Sequence, residues 1–157
     1  MKAGFCRQIA VLLSVSVSAS LVMSTGLARA DAPGVRSGLL ASCPDRSNCV
    51  SSDAAGENHR IAPFKLKSSP AVAWQDLRAL IAATPRTKIV AATPDYLRAE
   101  FTSAFLSFTD DVEFVLRPEQ GEIAVRSASR IGYYDFGVNR ERIEALRAKL
   151  REKGVLE

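Results

Sequence analysis

Histidine is nearly absent from this chain and cysteine is scarce: the 157 residues hold one histidine, His59, and three cysteines. There is no C-x-x-C, no H-E-x-x-H, no G-x-G-x-x-G turn and no phosphate loop. Those absences remove the sequence marks of a dithiol redox centre, a zinc peptidase and a nucleotide site. No cofactor and no metal is expected. A zinc set of Cys43, Cys49 and His59 would have the wrong cysteine spacing and would need an acid as fourth ligand. The first 30 residues contain no acid, and beyond them no apolar run is long enough to span a bilayer.

What is present at the start is a secretory pattern. Lys2 and Arg7 precede an apolar stretch from Ile9 to Met23, and Ala28-Arg29-Ala30 forms an A-x-A cleavage site. Cleavage after Ala30 would leave 127 residues, with localisation periplasmic or secreted. Losing Lys2, Arg7 and Arg29 takes the 21 basic residues to 18 against 17 acidic ones, so the net charge falls from +4 to about +1. With so little excess charge, nucleic acid is not an expected partner. An uncleaved anchor competes with this reading, but Ser14, Ser16, Ser18 and Ser20 dilute the run. Leu40-Ala41-Ser42-Cys43 looks like a lipobox but lies too far beyond the apolar core. With Cys6 lost in the signal, Cys43 and Cys49 remain as an even pair around a turn-forming loop. A disulfide is expected there.

Residues 31–42 carry glycine and proline without periodicity and read as a flexible leader; 43–154 read as one domain. Ser42 to Glu57 is a polar loop. His59 to Leu66 is expected to be a first strand with Ile61, Phe64 and Leu66 inward, placed at an edge or broken by Pro63. Ser69-Pro70 opens a helix with Trp74, Leu77, Leu80 and Ile81 on one side, and Thr84-Pro85 ends it. Lys88 to Thr93, Tyr96 to Phe105, Asp111 to Arg117 and Glu122 to Ile131 read as strands, three of them with a period of two. Leu97, Ala99, Phe101, Phe105, Val112, Phe114, Leu116, Ile123 and Val125 form the inward set. A closing helix is expected with Asn139 as N-cap, a Val138–Ile143 staple, an Ile143–Leu146–Leu150 stripe, Arg147, Lys149, Arg151 and Lys153 as dipole-favoured positive charge in its last turns, and Gly154 as stop. The fold class is therefore a two-layer α+β domain: an antiparallel four- to five-stranded meander with two helices packed on one face. Trp74 and the phenylalanines are expected to centre its core.

The outward strand positions Arg98, Glu100, Glu113, Arg117, Glu122, Arg126 and Arg130 suggest a solvated face of ion pairs, or a groove that grips an anion through arginine forks. The segment from Arg126 runs through Ser127, Ser129, Arg130, Tyr133 and Asp135 to Asn139 and Arg140 at a helix start. Those eight residues are the candidate binding set, with Tyr134 helping to shape it; a tight structural corner is the alternative. Asp110 and Asp111, with His59, are weak catalytic candidates, because adjacent strand residues point to opposite faces.

Cys43-Pro44-Asp45-Arg46-Ser47-Asn48-Cys49-Val50-Ser51-Ser52, His59-Arg60-Ile61-Ala62-Pro63, Asp110-Asp111-Val112-Glu113-Phe114, Arg126 to Gly132 and Asp135 to Ile143 stand in this order. Together they resemble the family called domain of unknown function 1499, from about Cys43 to Leu150. The resemblance implies no activity or substrate. It implies that the cysteine segment, the acidic pair and the Arg126–Arg130 segment belong to one shared design.

The expected function is a non-enzymatic, exported binding module for an unidentified anionic small molecule or envelope protein. The alternatives are a hydrolase using Asp110 or Asp111 with His59, and a structural accessory domain of an envelope complex. Intact-mass measurement of the exported protein is expected to give residues 31–157 with Cys43 and Cys49 oxidised; a retained N-terminus with both thiols free would contradict it.

Overall fold

Inward residues at every second position need a cover for one face of their sheet, and two amphipathic helices supply it. The computed structural model describes residues 33–104 and 106–157. The signal segment and Phe105, expected inward, lie outside the described residues. The elements are β1 (Val35–Arg36), β2 (Leu39–Leu40), β3 (Cys49–Ser51), β4 (Phe64–Lys65), α1 (Pro70–Ala83), β5 (Thr87–Ala92), β6 (Tyr96–Thr102), β7 (Thr109–Arg117), β8 (Glu122–Ser129) and α2 (Val138–Glu152).

The expected meander is β5 to β8, antiparallel throughout. The sheet holds six strands, in the order β3-β8-β7-β6-β5, with β4 also on β8. The two additions share the free edge of β8: β3 pairs with Arg126–Ala128 and β4 with Glu122–Ile123. Between them, Ser52 occupies the edge at Val125. Its amide donates to Val125 O and its hydroxyl accepts from Val125 N, both at 2.9 Å. Of the expected first strand, Phe64–Lys65 alone forms a strand, since Glu57–His59 makes a short 3-10 turn and Pro63 precedes the pair; Arg60 and Leu66 form single bridges.

Phe64, Leu77, Ile81, Leu97, Val112, Phe114, Ile123, Val125, Ile143 and Leu150 form the core between sheet and helices, with Trp74 at its edge. Two phenylalanines depart from the expectation: Phe108 and Phe136 are exposed. Arg147 is more than a dipole-favoured charge. It is buried, donates to Pro63 O at 2.7 Å and Ala62 O at 2.6 Å, and lies over the Phe64 ring, so it anchors β4. The segment expected as a leader forms the β1–β2 hairpin, whose Leu40 packs on Val115 and Ala124 of the opposite sheet face. Asp53 fixes it there, accepting from Leu40 N and from Arg117.

That opposite face is not a solvated field of ion pairs. Glu113 and Arg126, side by side on β7 and β8, are 0 % and 2 % exposed, with Arg126 Nη1 2.8 Å from Glu113 Oε2. Tyr96 donates its hydroxyl to the other Glu113 oxygen at 2.8 Å. Burial first, then the Glu113 charge, lifts the Tyr96 phenol well above its ordinary value near 10. The folded state therefore keeps a proton that the unfolded chain releases, and stability falls as pH rises above about 10. Tyr96→Phe is expected to flatten that alkaline decline and to remove the late-ionising phenol from an ultraviolet titration. It should also cost about 1–2 kcal/mol at neutral pH, because Glu113 loses a donor. An unchanged alkaline slope would contradict the assignment.

Candidate interaction surface at the disulfide end of the sheet

The end of β8 must hand the chain over to α2 on the helix side of the sheet. It does so through a loop, residues 130–137, held from beneath by buried polar atoms. Asn139 is 0 % exposed and is the centre. Its carbonyl oxygen accepts from Ser127 Oγ at 2.6 Å and Arg142 Nη1 at 2.7 Å. Its amide nitrogen faces Asp135 Oδ2 at 2.7 Å, with Asn48 O and Ser129 Oγ each at 3.0 Å. Arg142 continues to Asp110 Oδ2 at 2.5 Å and lies over the Phe101 ring.

Asn139 is therefore not the N-cap. Gly137 holds that position in the left-handed region, at φ 84°, and Asp135 does the capping. Its two carboxylate oxygens accept from Gly137 N at 3.0 Å and Asn139 N at 2.9 Å. The reason is geometric: a cap side chain must lie outside the helix, and Asn139 is already in its first turn. Val138 is exposed, so the staple does not form either.

The disulfide loop closes on the same hub. Cys43 and Cys49 are bonded. Asn48 Nδ2 donates to Gly132 O at 2.7 Å, Asn48 O accepts from Ser129 N, and Ser47 bridges to Tyr134. Above this base the side chains stand out: Tyr133 is 74 % exposed, Tyr134 64 % and Phe136 83 %. Tyr134 and Phe136 meet edge to face at 4.9 Å, and Arg46 lies 4.5 Å over the Tyr133 ring. Phe136 has a φ of 55°, a region an aromatic residue enters only when its surroundings impose it. Leu106 and Phe108, in the β6–β7 loop at the same end of the sheet, are also exposed.

Of the expected binding set, the structure brings buried Ser127 and Asn139 together with half-buried Ser129 and Asp135 as a polar support and leaves Tyr133 at the surface. It does not bring the three arginines together. Arg126 lies on the sheet face away from α2, bound to Glu113. Arg130 lies further along that face in a fork with Asp111, at 2.8 and 2.9 Å, and also binds Glu100. These hydrogen bonds, Asp111 first, raise its already high pKa. Arg140 reaches only Asn58 O. Asp110 and Asp111 do face opposite sides, one to Arg142 and one to Arg130. His59 is bonded to Cys49 O at 3.0 Å. Cys49 is two strands from Asp111, about 10 Å at the backbone, so His59 is not joined to either acid. Among the described residues no group of three or more histidine, cysteine or acidic side chains is placed to hold a metal, and no helix is long and apolar enough to cross a membrane.

Sequence reasoning missed Asn48, Arg142 and the exposure of Phe136. Arg142 left one signal, its position three residues after Asn139 on the same helix face.

These elements define a small α+β domain that presents a braced aromatic loop beside a disulfide. The chain belongs to the family described as "Protein of unknown function (DUF1499)", whose model matches residues 39–150. Comparison with curated proteins and with solved structures gives no match.

Replacing Asn139 by leucine would remove the amide's bonds to Ser127, Asp135, Arg142, Ser129 and Asn48 O, leaving Ser127 and Arg142 with each other and with Asp110, and Asp135 with the two backbone amides that it caps. It is expected to cost about 2–4 kcal/mol by chemical denaturation, from several lost buried hydrogen bonds at about 0.5–1.5 kcal/mol each. Arg140→Ala is expected to change stability by less than about 0.5 kcal/mol. Equal effects of the two would contradict the hub.

Proposed function

We propose that the protein is an exported, non-enzymatic interaction module whose contact surface is the aromatic loop from Ile131 to Val138. One observation carries the reading. Three aromatic side chains are held outward, one of them in a strained backbone conformation, on a base of hydrogen-bonded polar groups centred on Asn139. Exposed apolar groups oppose solubility unless something covers them, and a clustered set marks a contact site. A rigid base lowers the entropy lost on contact, which favours recognition.

The disulfide is compatible with an oxidising compartment outside the cytoplasm. An anionic group on the partner suits this surface through Arg46 and Arg140 at its rim. Arg126 and Arg130 contribute through the fold, since carboxylates already hold them.

The test is retention of the purified protein on a cell-envelope preparation, membranes and proteins together. Tyr133→Ser with Phe136→Ser is expected to reduce retention at least about tenfold with little change in melting temperature, because neither side chain is buried. Arg126→Met is expected to lose about 3–5 kcal/mol of stability, by stranding Glu113, with retention intact while folded. Unchanged retention of the double variant would overturn the reading.

A further inference from the structure

The chemistry of the loop narrows what it meets. A side chain that lines a concave ligand site is shielded by its neighbours; at 64–83 % exposure, Tyr134, Tyr133 and Phe136 protrude. Protruding tyrosine and phenylalanine suit a partner that is soft and deep enough to receive them. The region between the headgroups and acyl chains of a bilayer is such a partner, because a ring buries its apolar body there and a tyrosine hydroxyl stays wet.

Charge complementarity points the same way. Arg46 stacks on Tyr133, and Arg140 projects from the first turn of α2. Neither forms an ion pair among the described residues, and Asp135, the acid inside the loop, is turned down onto Gly137 and Asn139. Two guanidinium groups without a carboxylate partner thus belong to this end of the domain, Arg46 on the Tyr133 ring and Arg140 in the helix turn that follows the loop, where it donates to Asn58 O, and such groups attract lipid phosphates. Arg130 is compensated by Asp111 and Glu100 and adds nothing to this attraction.

Resting on the interaction-module reading, we infer that the covering partner is a phospholipid bilayer surface, into whose interfacial layer Phe136, Tyr133 and Tyr134 insert while Arg46 and Arg140 contact lipid phosphates. Insertion of a few rings from one loop is shallow and reversible. Leu106 and Phe108 stand beside it and would meet the same layer.

The full chain carrying Phe136→Trp, mixed with phosphatidylethanolamine–phosphatidylglycerol vesicles at about 0.15 M salt, tests this. Emission from the introduced indole is expected to shift to the blue and to be quenched more strongly by lipids brominated near the headgroup than by lipids brominated near the bilayer centre. The wild type, whose single Trp74 is in the core, should show neither effect. Tyr133→Trp is a second reporter with the same expectation. The readout is local, so attachment through any other segment does not imitate it. Arg46→Gln with Arg140→Gln is expected to weaken the quenching several-fold. Emission unchanged by vesicles in both reporters would overturn the bilayer assignment. If the Tyr133→Ser, Phe136→Ser protein then still loses retention on whole envelopes, the loop remains the contact surface and its partner is a protein or glycan. If it does not, both readings fall.

Discussion

Asn139 has no solvent contact, and its amide reaches partners on the cysteine loop, on β8, on the loop that follows β8 and on its own helix. The arrangement is stable because one buried amide ties those four segments together, with further bonds among Ser127, Arg142, Asp110 and Asn48 around it. An unpaired buried polar group costs about 1–3 kcal/mol, whereas an exposed ion pair contributes about 0–1 kcal/mol. The hub, more than the many charges around it, therefore decides whether the loop keeps its shape. It also offsets the strain of Phe136, since the carboxylate of Asp135 fixes the chain on both sides of that residue.

The charged sheet face follows the same asymmetry. Glu100 and Asp111 lie directly opposite each other across β6 and β7, an unfavourable pairing that the Arg130 fork relieves. Arg126 neutralises Glu113 where neither touches water. Arginines that look available in one dimension are counterions in three. Arg46 and Arg140, by contrast, pair with no carboxylate among the described residues, and Arg46 lies over the Tyr133 ring. The arginines that the fold consumes, Arg126, Arg130, Arg142 and Arg147, are therefore distinct from those that the proposed contact would use.

Much of the frame was legible because its signals are local. A period of two across β6, β7 and β8 marks one buried face; Ser69-Pro70 and Gly154 mark helix ends; adjacency alone sends Asp110 and Asp111 to opposite sides. What stayed hidden depends on partners distant in the chain. Cys49-Val50-Ser51 is too short to show alternation and is a strand only because β8 has a free edge. The β1–β2 hairpin is fixed by Asp53 and Arg117, which no pattern near Val35 reveals. Asp135 and Asn139 are both good capping residues, and only the helix boundary decides between them. Phe136 reads as core by type, yet its loop is anchored through polar atoms and needs no burial of the ring.

Amide hydrogen exchange tests the central claim most directly. The amides of Ser129, Gly137 and Asn139 donate to Asn48 and Asp135, within the hub. If the hub opens only when the domain unfolds, they exchange with the same free energy as Phe114 and Val125 in the core strands. Exchange of those three amides at loop-like rates, with the core still protected, would contradict a braced loop.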